Sequence, residues 1–186
     1  MAFSIPLQRA ARIVRAGGVV AYPTEGVYGL GCLPQADEAV QHILSIKQRD
    51  PAMGLILIAA DSSQLEEWVA SGVPTADLYS SAERPVTWIV PAAASVSTLI
   101  RGNHEGLAVR ITSHPVARAL CLAADSAIVS TSANVSGRPT SRNLHVLRRQ
   151  FGHLVDCVVA GRCGPAGGAS EIRDWRSGKV IRPATT

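Results

Sequence analysis

The sequence predicts an α/β fold, a single domain over residues 1–186 built on a twisted, mixed sheet flanked by helices. Three observations carry that expectation. Short continuous apolar runs, such as residues 55–60 (LILIAA), read as buried strands. Between them stand stretches with apolar residues at helical spacing, such as Ala36, Val40, Ile43 and Leu44. With 186 residues, 47 % hydrophobic and 17 % charged, the chain can bury a core without disulfides.

Each element follows from local chemistry. Ser4 can cap a first helix with Leu7, Ala10, Ala11 and Val14 on one face, ended by Gly17 and Gly18. Residues 19–22 read as a strand stopped by Pro23, and 24–31 as a glycine-punctuated loop. A helix spans about 36–47. Three residues beyond Leu44 its apolar stripe reaches Lys47, so the helix ends with an ammonium on its buried face. The alternative is a lysine offsetting the helix dipole, worth about 0.3–1 kcal/mol. Strands follow at 55–60, 86–90 and 107–111, with a short helix marked by Leu65, Trp68 and Val69. A helix near 115–124 leads into a strand at 127–130. Leu144, Leu147 and Phe151 define another helix, and strands near 155–160 and 180–182 complete the pattern. The irregular connection lengths argue against a plain Rossmann order.

Charge is distributed unevenly. Residues 1–126 carry 9 basic and 11 acidic side chains, residues 127–186 carry 9 and 3, and the whole is +4. Arginine supplies 16 of the 18 cations, and its planar fork suits bidentate capture of phosphate or carboxylate. An anionic ligand, nucleotide or nucleic acid, is one reading of this charge, and a solvated surface is the other. Cys32, Cys121, Cys157 and Cys163 form no CxxC pair, and the five histidines form no HxH or HExxH. Buried thiols and no protein-held metal are therefore expected. Residues 1–11 do not read as a signal peptide, and no run approaches the roughly 20 apolar residues of a membrane span. A cytoplasmic protein with no membrane partner is expected.

Common nucleotide signatures are missing. Residues 29–34 (GLGCLP) lack the third glycine of GxGxxG, and no GxxxxGK[ST] occurs. Residues 130–140 (STSANVSGRPT) place hydroxyls, an amide and an arginine after a predicted strand, where side chains and backbone N–H groups can hold phosphate oxygens. An ordinary polar turn is the alternative. Ser132 lacks a GxSxG elbow, which argues against a serine nucleophile.

Seven segments in order narrow the reading: 22–25 (YPTE), 28–31 (YGLG), 47–49 (KQR), 54–58 (GLILI), 108–110 (AVR), 130–134 (STSAN) and 170–174 (SEIRD). Together they resemble the YrdC/TsaC family, the L-threonylcarbamoyladenylate synthases, in its short single-domain form and over about residues 7–182. The resemblance implies a sheet around a large, basic cavity. It also implies synthesis of threonylcarbamoyl-AMP and pyrophosphate from L-threonine, bicarbonate (or CO2) and ATP, with Mg²⁺ arriving on the ATP. Partner proteins of a threonylcarbamoyl-transfer complex would then modify an adenosine in tRNA.

By the same resemblance, Lys47 and Arg49 match a KxR pair that holds ATP phosphates. Ser132 and Asn134 match an SxN pair at nucleotide phosphate or bicarbonate-derived oxygens, and these four are the catalytic candidates. Thr140 and Arg182 fall at ATP contacts. Arg110 falls at the threonine carboxylate, with Ser130, Ser170 and Thr24 also facing the amino acid. Gly26 replaces a threonine-contacting Thr of longer relatives. Met53 and Ile58 replace polar residues, and residues 83–85 (ERP) replace Pro-Gly-Pro. Alanine at Lys47 or Arg49 is expected to abolish pyrophosphate release while the fold survives. The rival class is a non-catalytic RNA-binding or ribosome-associated module, suggested by the basic last third and by Arg142, Arg148 and Arg149. Only 4 % aromatic residues leave little for base stacking.

Overall fold

The computed structural model describes residues 4–78 and 80–185. The first three residues of the stretch weighed for a signal peptide lie outside them. Helix α1 (Ile5–Arg15) precedes a hairpin of β1 (Val20–Pro23) and β2 (Tyr28–Gly31), then α2 (Asp37–Lys47) and β3 (Ile56–Ala59). Next come β4 (Val86–Pro91), α3 (Thr98–Arg101), β5 (Gly106–Ile111), α4 (Pro115–Ala124) and β6 (Ile128–Ser132). The chain continues through α5 (Leu144–Phe151), β7 (Cys157–Val158), β8 (Glu171–Asp174) and β9 (Val180–Arg182).

The strands form one mixed sheet in the order β7-β1-β2-β6-β3-β5-β4-β8-β9. Alternation along each strand splits its residues between two cores. Val20, Tyr22, Ile58 and Ile128 pack with Leu7, Ala10, Ala11 and Val14 of α1 and with Ala117, Leu120 and Ala124 of α4. Ala21, Leu57, Ala59 and Val129 pack on the other side with Val40, Ile43 and Leu44 of α2, Ile100 of α3, and Leu147 and Phe151 of α5. The result is helices on both faces of the sheet, as the apolar periodicities require. Among the described residues, no helix is long and apolar enough to cross a membrane.

Several elements differ from the sequence expectation. The 24–31 loop is shorter than expected, because Tyr28–Gly31 forms β2. Its glycines serve close packing, since a Cβ on Gly31 would stand 2.5 Å from Val129 O and 2.9 Å from the Tyr22 ring. Pro23 is the last residue of β1 rather than a stop before it. The helix expected around Leu65–Val69 is a 3₁₀ turn at Ser62–Leu65, after which Val69 bridges Ala92. The strand expected at 155–160 is only Cys157–Val158. Helix α3 and strand β8 were not anticipated. β8 reads Glu-Ile-Arg-Asp, half-buried throughout, with no apolar run to betray it.

Candidate active site

The sheet order brings remote segments together. Gly29 of β2 lies opposite Ser132 of β6, Ser130 lies opposite Ile56 of β3, and Ile58 lies beside Arg110 of β5. A cleft opens there, with a cavity volume of about 120 Å³. Seven of the residues expected at the site line it: Thr24, Arg49, Arg110, Ser130, Ser132, Ser170 and Arg182. Lys47, Asn134 and Thr140 are not on its wall.

Arg49 owes its place to the end of α2. Gln48 takes the left-handed conformation (φ 49°), and the Arg49 N–H returns to Leu44 O at 3.0 Å, which turns the chain out of the helix. The guanidinium then donates through Nε and Nη2 to Gly54 O, at 3.2 and 2.9 Å. Arg182, in β9, donates to Ser170 O at 2.9 Å. Burial, and then a neighbouring guanidinium, lower both: Arg182 acts on Arg49, and Arg110 on Arg182. Three cations thus share one cleft, and Arg110 is the one of them that lies beside its carboxylate, Glu25, so an anion near Arg49 and Arg182 would be favoured.

Lys47 is 2 % exposed, on the buried face that the helical stripe predicts. Its ammonium reaches the turn after β6 rather than the cleft. It donates to Ser132 O at 2.5 Å, Asn134 O at 2.9 Å and Asn134 Oδ1 at 3.0 Å. All three of its donors are thereby occupied. Ser132 Oγ donates to Asn134 Oδ1 at 2.6 Å, and Asn134 Nδ2 to Arg138 O at 2.6 Å. The two halves of the KxR pair therefore sit differently: Arg49 faces the cleft, and Lys47 stands behind its wall and shapes it. Burial first, and Arg49 second, push the Lys47 ammonium down to about 8.

The end of the cleft around Arg110 holds a buried polar network. Arg110, 7 % exposed, lies 3.4 Å through Nη2 from Glu25 Oε2 and donates through Nη1 to Thr87 Oγ1 at 3.5 Å. Thr87 Oγ1 meets Ser170 Oγ at 2.8 Å. Glu25 and Thr87 were not among the expected site residues. Nothing in a single sequence marks Thr87, whereas Glu25 lay inside the quoted YPTE segment without an assigned role.

Residues 161–170 cross this end of the cleft. Gly164 N–H donates to Thr24 O at 2.9 Å and Ala166 N–H to Glu25 O at 3.0 Å. A Cβ on Gly26 would stand 1.8 Å from Gly168 O. The space that a side chain at position 26 would fill is thus taken by backbone of this segment. The other departures sit apart from it: Met53 is exposed, and Ile58 is buried in the core rather than in the cleft wall. Pro85 of the ERP segment does line the cleft.

All four cysteines are free. Cys32 and Cys121 are buried, but Cys157 and Cys163 are only half-buried, which corrects the expectation for those two. Among the described residues, no three His, Cys, Asp or Glu are grouped to share a metal.

Residues 12–184 match the model of the Sua5/yciO/yrdC family, described as telomere recombination. A threonylcarbamoyl-AMP synthase of Nitrosococcus oceani is 47 % identical over 178 residues, covering 93 % of this chain and 95 % of that protein. Among solved structures, P. abyssi Sua5 complexed with L-threonine superposes with a TM-score of 0.86 at 29 % identity, over 96 % of this chain and 54 % of that one. This chain therefore spans about half of that protein. E. coli YciO shares the fold, with a TM-score of 0.82 at 24 % identity, over 96 % of this chain and 89 % of its own.

Proposed function

The chain belongs to the Sua5/yciO/yrdC family, and from that premise we propose that it makes L-threonylcarbamoyl-AMP from L-threonine, bicarbonate or CO2, and ATP. The observation that carries the reading is the convergence of Arg49, Arg110 and Arg182 with the hydroxyls of Ser130, Ser132 and Ser170 in one cleft.

The chemistry needs such a cleft. The threonine amine attacks the carbon of bicarbonate and water leaves; on CO2 it adds directly and a proton leaves. An oxygen of the resulting carbamate then attacks the α-phosphorus of ATP, and pyrophosphate departs with the electron pair of the broken P–O bond. Only about a tenth of free α-amino groups are neutral at pH 7, their pKa being near 8. A cleft crowded with cations raises that fraction, because the ammonium form is repelled. The carbamate must approach a polyanion, and two unit charges 4 Å apart repel by about 4 kcal/mol near a protein surface. Guanidiniums between the reactants reverse that sign and stabilise the charge that builds up at phosphorus.

The family resemblance assigns the roles. Arg49 and Arg182 take phosphate oxygens, and Arg110 takes the threonine carboxylate, with Ser130, Ser170 and Thr24 beside it. Lys47 and Asn134 hold Ser132 in place and add positive charge behind it. Thr140, exposed and off the cleft wall, keeps its ATP contact on the resemblance alone. Mg²⁺ enters on the ATP phosphates, because Glu25, the carboxylate of the cleft, is already committed to Arg110, Thr112 and the backbone of residues 113 and 114. The product passes to transfer proteins and onward to tRNA in the cytoplasm. The relatives' names and the arginine-lined cleft support this synthase rather than a non-catalytic RNA-binding module.

Mass spectrometry of the purified protein incubated with L-threonine, bicarbonate and MgATP tests the proposal. Threonylcarbamoyl-AMP is expected, and its absence from active-fold protein refutes the reading.

A further inference from the structure

We infer that Glu25 is a positioning residue for Arg110: its carboxylate fixes the guanidinium that meets the amino-acid carboxylate, and locks the 24–27 loop to the turn that follows β5. The inference rests on the proposed synthase reading and deepens it.

Glu25 is 1 % exposed, an expensive place for a carboxylate unless it is paired. Its two oxygens are used unequally. Oε1 accepts from Thr112 Oγ1 at 2.6 Å, from Ser113 N–H at 3.0 Å and from His114 N–H at 3.3 Å. Three donors on one oxygen fix the carboxylate plane. Oε2 takes none of them and faces Arg110 Nη2 at 3.4 Å. Burial alone would raise this carboxyl, but Arg110 and the Thr112 hydroxyl overcome it and hold the group below its ordinary value. The anion is therefore present and immobile, and Arg110 rests against it.

Arg110 needs such a support. It leaves β5 as a long, flexible side chain, and beyond Glu25 it makes a long contact to Thr87, at 3.5 Å. Its Nε is buried without an acceptor. The ion pair of Nη2 with Glu25 restrains the guanidinium, so part of the energy of ordering it is spent before a ligand arrives. The same carboxylate joins the two strand ends that frame the amino-acid side of the cleft, since Glu25 follows β1 and Thr112 follows β5.

Glu25→Gln is the test, because the amide carbonyl still accepts from the three donors while the charge facing Arg110 is lost. In calorimetric titrations of the full chain, L-threonine is expected to bind about tenfold more weakly or worse, with ATP changed by less than about threefold. In an Arg110→Met background, titrated to high millimolar threonine, the added Glu25→Gln is expected to change threonine affinity by less than about twofold. Equal losses in both backgrounds, or parallel losses for threonine and ATP, overturn the inference, since a merely structural role predicts those. Thr112→Val loosens the carboxylate without removing it, and keeps the test open if Glu25→Gln fails to fold. It is expected to weaken threonine about threefold, and unchanged affinity counts against the inference. Wild-type protein that binds no L-threonine sinks the synthase reading itself, a different result from any of these.

Discussion

Substituting the two cations of the KxR pair should separate stability from catalysis. Lys47→Met keeps the stem of the side chain and deletes the ammonium. Three charged hydrogen bonds to the turn after β6 are lost, each worth about 1.5–3 kcal/mol. Against that stands the cost of burying the charge, about 3 kcal/mol from the fall of its pKa to about 8. Ser132 and Asn134 are half-buried, so water can recover part of what is lost. The net loss is about 2–4 kcal/mol, which lowers Tm by roughly 5–15 °C for a chain of this size. Arg49→Ala, in contrast, removes a half-buried guanidinium bonded to a single carbonyl, and should cost about 1 kcal/mol.

Both variants should lose pyrophosphate release by about a hundredfold or more, for different reasons. Arg49→Ala removes a cation that faces the nucleotide. Lys47→Met lets Ser132 and Asn134 drift, so its fold is expected to survive with a lower Tm. Calorimetric or fluorescence melting, paired with threonine- and bicarbonate-dependent pyrophosphate release, reads both quantities. Wild-type Tm in Lys47→Met would show that the ammonium does not hold the turn. Near-normal release from folded Arg49→Ala would remove Arg49 from the ATP site.

Three further outcomes follow from the same geometry. The pH–rate profile should rise as the threonine amine loses its proton, then fall with an apparent pKa near 8 as Lys47 becomes neutral and keeps two donors for three acceptors; a rate still rising at about pH 9.5 would exclude Lys47 from that limb. Stability should not fall in parallel, because between pH 8 and 10.5 the unfolded chain keeps a proton that folded Lys47 has released, so this group's contribution to stability rises with pH in that window. Gly26→Ala places a Cβ where Gly168 O lies 1.8 Å away, so the backbone around Gly168 must shift: Tm should fall and the KM for threonine should rise about tenfold, and an unaltered KM would show that this segment does not shape the threonine site. Thr87→Val removes the hydroxyl that joins Ser170 at 2.8 Å and Arg110 at 3.5 Å, costing about 1 kcal/mol and weakening threonine more than ATP; equal effects on both ligands would contradict its place in the network.

What a single sequence reveals here depends on whether a residue's role is local or is set across the sheet. The helical stripes of α1, α2, α4 and α5 and the apolar strands follow from periodicities of a few residues, and the two cores sit where those periodicities put them. The burial of Lys47 was legible for the same reason, since it lies three residues beyond Leu44 on the same helix. Its partners were not legible, because they stand about ninety positions later in a turn that reaches it only once β2, β6 and β3 are adjacent. Glu25 is the extreme case. By local rules it is a charged residue in a glycine-rich loop, and such residues face water. It is buried because the sheet order β2-β6-β3-β5 brings the hairpin loop against the end of β5, where a cation and three donors await it. The polar parts of the site are thus fixed by strand order, which no short window encodes, and the arginines of the cleft become a site only when that order has gathered them.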